Sequence, residues 1–521
     1  MKKLPIGIQD FKKIREDNYL YIDKTQHILT LIEGESAYFI SRPRRFGKSL
    51  LLSTLYYLFR GKKELFQNLY LYDKIQWEAY PVLRIDFSTI THNEGKHIFR
   101  KALIRSLAQQ AKEYGITINN VESPSEYLAI LIYELHQTYQ KPLVLLIDEY
   151  DKPVVDNWGT PIETENRAIL KGLFSILKGY GHLFRFILFT GITKLANLSL
   201  SAALNHVQDL SLDLEYQSIL GITQDELETY CLPWLNLFAQ EQNISQEKML
   251  KVVKSWYNGY AWYDGKTTLY NPFGLLYLMR KRKIQSYWYS TSTPALLIHQ
   301  IKKRGIPLQD FEGIEIQEVD FLIGTPDTVS IEHLLFQTGY LTIKEKKEKL
   351  LNSSYILGYP NMEVKQALLT HLAEAITETQ FSKLSTYQKL AETLYQEDIP
   401  SFSKYLQSIL AGIPYNLHIP KESYYHSIIY VVLNLLGLKV QAETLTDKGR
   451  IDSIIEFNDK IFIFEFKYGA SGTDLDKLVD KALAQIAQKQ YDQKYQLRNI
   501  PIKHIGIAFS EKTVVTKLIT P

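Results

Sequence analysis

The run RPRRFGKS, Arg42 to Ser49, stands between the apolar segment SAYFIS (36–41) and the helical pattern LLLSTLYYLF (50–59). A glycine, a lysine and a serine between a strand and a helix start are what a phosphate-binding loop needs. The glycine lets the main chain approach phosphate oxygens, the lysine neutralises them, and the serine offers its hydroxyl to a divalent cation. On this reading Arg45, Phe46, Gly47, Lys48, Ser49 and Leu50 contact a nucleotide, with Lys48 aimed at the β and γ oxygens and Ser49 a ligand of Mg²⁺. The usual pattern opens on glycine. Here that position is Arg42, so the entry turn must be built differently, with Pro43 available to stiffen it.

Such a loop calls for a parallel α/β sheet. VLRIDFS (82–88), PLVLLID (142–148) and FRFILFT (184–190) alternate with helical patterns and are apolar throughout, as strands covered on both faces should be. PLVLLID ends in Asp148 and Glu149, which places two carboxylates at the carboxyl edge of the sheet beside the phosphates. Asp148 is expected to hold Mg²⁺, and Glu149 to be the catalytic group that orients and deprotonates the attacking water of ATP hydrolysis. FRFILFT ends at Thr190, whose hydroxyl is placed to sense the γ-phosphate, with Thr193 as a near competitor. No arginine finger can be named, because Arg44 and Arg45 lie in the loop itself.

At 521 residues the chain exceeds what one core usually organises. The patterns suggest an α/β P-loop domain over 1–205, a mostly helical lid or auxiliary domain over 206–330, a winged-helix-like and helical connector over 331–399, and a further α/β domain over 400–521. A net charge of +3 is too small to mark a nucleic-acid binder, since phosphate attraction needs local clusters of Lys and Arg. The single cysteine, Cys231, excludes an internal disulfide and a Cys-rich zinc site and suits a reducing compartment. With no signal-like or membrane-spanning stretch, a cytoplasmic protein is the expectation.

The segment GRIDSIIEFNDKIFIFEFKYG reads as a hairpin turning at Asn458-Asp459. That register puts Asp452 opposite Glu465, with Glu465 and Lys467 on one face and Phe464 and Phe466 on the other. Two carboxylates placed this way suit Mg²⁺ or Mn²⁺, and a lysine beside them can orient or activate a water for attack on a phosphodiester. Asp452, Glu465 and Lys467 are therefore candidate catalytic residues, the first two also metal ligands. A helix before the hairpin, a helix with Gln485, Gln488 and Tyr491 after it, and a final strand give the αβββαβ order of a restriction-endonuclease-like core. Glu422 and Glu443 are candidate further ligands, each also readable as a plain solvated carboxylate.

Taken together, LPIGIQDF, YLYIDKT, RPRRFGKSLLLSTL, LLIDEYDKP, FTGITK, YNGY, YNPFG, QTGYLTI, LGYPN-EV and GRIDSIIE-x-IFIFEFK resemble bacterial and archaeal AAA-ATPase-like proteins with a C-terminal PD-(D/E)xK nuclease domain. The resemblance covers nearly the whole chain. It implies ATP at Lys48, Ser49, Asp148 and Glu149, a nuclease-like centre at Asp452, Glu465 and Lys467, and Arg42 as the family's own variant of the loop. The function expected is nucleotide-gated processing of nucleic acid, DNA favoured, with oligomerisation open. The rival is a nucleotide-dependent switch that binds nucleic acid or protein without cutting.

Three weaker signals remain. Arg280-Lys281-Arg282-Lys283 with Tyr287 and Trp288 can track a nucleic-acid backbone with stacking aromatics, or be a solvated helix end, which is the preferred reading. His426 can reach the second centre or pack, and Cys231 reads as a buried small residue.

Overall fold

Alternate residues of each strand in the first sheet face opposite ways, and both sets are apolar, so the sheet must be covered twice. In the computed structural model, which describes residues 1–193, 207–288, 311–321, 330–348, 353–368, 384–411, 439–446, 449–457, 459–493, 495, 500–510 and 513–521, this is what the chain does. Strands β1 (Ala37–Ser41), β2 (Val82–Asp86), β3 (Leu143–Asp148), β4 (Phe184–Gly191) and β5 (Gln208–Asp209) lie in the order β2-β3-β4-β1-β5, all parallel. Phe39, Ile85, Leu145, Ile147, Ile187 and Phe189 pack in one cluster with Leu103, Leu131 and Leu173 of the helices Lys96–Glu113, Pro124–Tyr139 and Pro161–Tyr180. Their neighbours Tyr38, Ile40, Val144, Leu146, Phe186 and Leu188 pack on the other side with Ile28, Leu52 and Leu55 of the helices Thr25–Glu33 and Lys48–Phe59.

The strand order matters for chemistry. β4 is inserted between β1 and β3, so its carboxyl end lies between the loop that leaves β1 and the carboxylates that end β3. The register pairs Ile40 with Thr190 and Ile147 with Phe189.

The chain divides into two compact units, one of Met1–Leu297 with Phe311–Val364, the other of Ile298–Asp310 with Lys365–Pro521. Two features differ from the boundaries expected at 205 and 330. Gln208–Asp209 extends the first sheet by pairing with Tyr38 and Phe39. Ile314–Gln317, expected in a helical region, is strand β6, and it forms one antiparallel sheet with β7 (Thr342–Glu348) and β8 (Ser353–Gly358) in the order β6-β8-β7. The helix Ile331–Thr338 precedes β7 and β8 as a winged-helix-like order would have it, but a strand supplied from before residue 330 completes the sheet. Between the sheets lie the helices Gln224–Tyr230, Leu232–Glu241, Gln246–Tyr257 and Pro272–Lys281, with Cys231 buried in their core.

The second unit contains a sheet of order β13-β12-β11-β10-β9, formed by β9 (Lys439–Thr446), β10 (Gly449–Glu456), β11 (Ile461–Tyr468), β12 (Ile502–Ser510) and β13 (Thr513–Ile519). Only β11 and β12 are parallel among these pairs, and the helix Leu475–Lys489 makes the crossover that a parallel pair requires. The expected order ended on one strand; β13 turns back on β12 and adds another. The helix expected over 424–437, with Glu422 and His426, lies outside the described residues, as does Asn458.

Leu146 is fully buried in β3. Leu146→Ala should destabilise the first unit by about 2–5 kcal/mol in urea unfolding, through lost burial and the cavity left behind, while a probe in the second unit keeps its transition midpoint.

Candidate functional site

The loop after β1 is set by its own side chains. Gly47 takes a left-handed conformation (φ 101°) as the residue before the helix Lys48–Phe59, which a Cβ would strain. Lys48 is buried, and its ammonium donates to the main-chain carbonyls of Arg42 (2.7 Å) and Pro43 (3.0 Å). Burial lowers the Lys48 pKa, and the charges of Asp148, Glu149 and Asp151 oppose that shift. Ser49 and Leu50 follow on the first turn of the helix, both half-buried.

The Arg42 guanidinium is buried, donates to the carbonyls of Ser41 and Ser211 (2.8 Å each) and lies 4.5 Å from the Trp262 ring centroid. Phe46 packs edge-on against Tyr260 and Trp262, at 4.8 and 5.5 Å between centroids, and Arg45, also left-handed (φ 70°), sits over Phe273 at 4.8 Å. The aromatic segments WYNGYAWYDG (256–265) and YNPFG (270–274) thus form the wall against which the loop is seated.

At the end of β3, Asp148 is buried and its Oδ1 accepts from the Thr190 hydroxyl (2.5 Å) and from the Glu149 main-chain N–H (3.1 Å). Glu149 is left-handed (φ 49°) and half-buried, with Lys152 4.0 Å away. Burial raises its pKa, and Lys152 and Lys48 offset part of that. Of the two threonines weighed in the sequence, Thr190 meets Asp148. Thr193 meets Asp151, whose Oδ2 accepts from the Thr193 hydroxyl and N–H (2.7 Å each) and from the Ile192 N–H (3.1 Å). Asp151 was missed by the sequence reading, although it is the last acid of DEYD. It is buried, its pKa is raised by that burial despite the bonds from Thr193 and Ile192, and it fastens the chain leaving β4.

A second feature also went unread. Beside Gly47 and Leu50 opens a cavity of about 710 Å³, counting its open mouth, walled largely by apolar side chains such as Pro5, Tyr21, Ile22, Ile222 and Leu276. Lys24 is the charged residue in its lining, and it donates to the Ser218 carbonyl (2.8 Å) and to Glu226 (2.7 Å). The signal was present in LPIGIQDF and YLYIDKT, whose residues supply one wall.

In the second unit Phe457 donates its N–H to the Lys460 carbonyl (2.9 Å), and Ser453 pairs with Phe464. This register carries Asp452 level with Glu465, and the Asp452 carboxylate accepts from the Phe466 N–H across the strands (2.8 Å). Lys467 donates to Glu465 Oε1 (2.9 Å), an oxygen also held by the Gln485 amide. Glu465 is 1 % exposed and Lys467 22 %, so the pair opens to solvent at the lysine. Buried Tyr491 lies close enough to Glu465, Asp452 and Lys467 to feel their charge, and burial raises its pKa. Two carboxylates and no soft ligand suit a hard divalent cation that keeps several waters. Among the described residues no group of three or more His, Cys, Asp or Glu is clustered for a metal.

Arg280–Lys283 is the exposed end of the helix Pro272–Lys281, with Arg282 paired to Glu241 at 2.9 Å. Tyr287 and Trp288 are buried, so they are not stacking platforms at that surface. No helix among the described residues is long and apolar enough to cross a membrane.

Residues 5–201 match the family model described as predicted AAA-ATPase, and residues 420–518 that of the PD-(D/E)XK nuclease superfamily. An uncharacterized protein in the vnfD 5' region of Azotobacter chroococcum mcd 1 is 36% identical over 520 residues, covering 98% of this chain and 96% of its own. Among solved structures, Aeropyrum pernix ORC1 in complex with DNA aligns at 13% identity over 67% of this chain and 92% of its own (TM-score 0.25). Pyrobaculum aerophilum Cdc6p aligns at 12% over 67% and 93% (TM-score 0.24). At these scores the two likenesses carry no argument.

Glu149 yields a test of the first site's electrostatics. Its carboxyl holds a proton to higher pH when folded than when unfolded, so ionising it weakens the fold as pH rises above the ordinary carboxylate range. Glu149→Gln removes that burden. Without nucleotide, its melting temperature relative to wild type should rise more at pH 8 than at pH 4.5; an equal difference at both would contradict the site as described.

Proposed function

Because the chain belongs to the family of AAA-ATPase-like proteins that carry a C-terminal PD-(D/E)XK nuclease superfamily domain, we propose that it binds Mg-ATP at the first site and cleaves nucleic acid at the second, with nucleotide state gating cleavage. The observation that carries the ATP half is the carboxylate-hydroxyl pair of Asp148 and Thr190, set by strand order next to the lysine loop. Lys48, parked on two carbonyls of its own loop, exchanges them for β and γ oxygens. Ser49 and Asp148 hold Mg²⁺, Arg45 to Leu50 supply the contacts along the phosphates, and the apolar cavity beside Leu50 takes the base. Glu149, its pKa raised toward the range where a carboxylate works as a base, accepts the proton of the attacking water.

At the second site Asp452 and Glu465 are the ligands for Mg²⁺ or Mn²⁺, which when bound supplies charge for the phosphodiester oxygens. Lys467, the partly exposed member of the set, orients the attacking water, and Gln485 fixes the Glu465 carboxylate through the same oxygen, Oε1. DNA is the favoured substrate.

Two measurements test this. Glu149→Gln should keep Mg-ATP affinity and lose turnover by about 10²-fold or more, as removal of a general base does. Asp452→Ala and Lys467→Ala should each abolish metal-dependent cleavage while leaving ATP turnover intact, since the sites lie in separate units. If wild-type protein cuts neither single-stranded nor duplex DNA nor RNA, with Mg²⁺ or Mn²⁺ and with or without ATP, cleavage is excluded and a nucleotide-dependent switch takes its place.

A further inference from the structure

The first unit contains a buried acid that neither proposed site uses. Glu363 is 1 % exposed. Its Oε1 accepts two main-chain hydrogen bonds, from Tyr287 (2.7 Å) and Trp288 (2.8 Å), and its own carbonyl accepts from the Ser286 hydroxyl (3.2 Å). The other carboxylate oxygen, Oε2, is buried without a hydrogen-bond partner. Gly274 closes over it so tightly that a Cβ there would lie 3.0 Å from Oε2. A half-satisfied carboxylate in such a place is expensive to keep charged, because burial removes hydration that only two N–H groups replace.

The charged and titratable surroundings offer no remedy. Tyr257 on the helix Gln246–Tyr257, Tyr260 after it, and Tyr287 face Glu363, and their phenols are neutral with pKa values raised by burial. Among the described residues no cation contributes to the balance at Glu363, where burial is the largest influence and the two N–H bonds oppose it, leaving a pKa of about 7.

Position gives the group a use. The chain leaves the first unit after Leu297 and again after Val364, so residues 286–288 and 363 precede two of its departures toward the second unit. We propose that Glu363 is a proton-responsive clamp, which holds these two chain passages together when protonated and loosens its grip on the Tyr287 and Trp288 amides when ionised. Ionisation places a charge where burial outweighs the two N–H bonds and Oε2 has no partner, so opening toward water, which restores hydration, is favoured once the proton leaves. The neighbouring wall is also the one that seats the phosphate loop: Gly274 over Oε2 adjoins Phe273 under Arg45.

Hydrogen exchange of the full chain, read on peptides spanning 286–288 from pH 5.5 to 8.5 and corrected for intrinsic rates, tests the clamp. In wild type the protection of Tyr287 and Trp288 should fall by about tenfold or more as pH rises, with a midpoint between the ordinary carboxylate range and 7. Glu363→Gln, which cannot titrate, should give a flat profile. A flat wild-type profile overturns the proposal without any variant, and so does an unchanged midpoint in Glu363→Gln. Should that variant fail to fold, Gly274→Ala, which crowds Oε2, should move the midpoint; an unmoved midpoint also overturns the proposal.

Discussion

A buried guanidinium sets the frame for the loop that follows β1. Where phosphate-binding loops ordinarily begin with glycine, Arg42 turns its side chain inward, against Trp262 and two main-chain carbonyls, while its own carbonyl receives Lys48. The burial pulls its pKa down to about 9, a sign of how much hydration is given up. Such a group is tolerated only if its surroundings are built to receive it. Trp262, Tyr260 and Phe273 receive Arg42, Phe46 and Arg45 in turn, so the residues between 256 and 274 are part of the loop's architecture. The loop's shape and the middle region's packing are one problem.

The two carboxylate centres solve opposite tasks with similar groups. In the first, Asp151 is spent on hydrogen bonds that fix the chain leaving β4, Asp148 holds Thr190 through Oδ1, and Glu149 is left partly exposed with a raised pKa. In the second, Glu465 is the buried acid, held by Lys467 and Gln485, while Asp452 reaches across to a main-chain N–H of the facing strand. Each centre thus separates acids that hold geometry from groups that face solvent, which is how one residue type serves two roles.

Much of this was legible because local signals and tertiary context agree. Both strand faces of the first sheet are apolar, and GKS and DE fall at the right strand ends. The hairpin register follows from a short turn, which is why Asp452 comes level with Glu465, the residue that Lys467 bonds. The remainder depends on partners distant in sequence. Strand order cannot be read from spacing, so the bond between Thr190 and Asp148 has no signature in the sequence; it follows from β4 lying between β1 and β3. Gln208–Asp209 and Ile314–Gln317 are too short for a periodic pattern to reveal, and both are strands only because an edge was available to pair with. Tyr287 and Trp288 follow basic residues in a stretch preferred as a solvated helix end, yet Glu363, some 75 residues on, holds their main chain in the interior.

The central claim is that a loop opened by Arg42 still forms a working nucleotide cradle, and affinity measures it most directly. Calorimetric titration of the full chain with Mg-ATP should show saturable binding that Lys48→Ala weakens by about tenfold or more, equivalent to roughly 1.4 kcal/mol per decade. Equal affinity in the two proteins, or none in wild type, would contradict it.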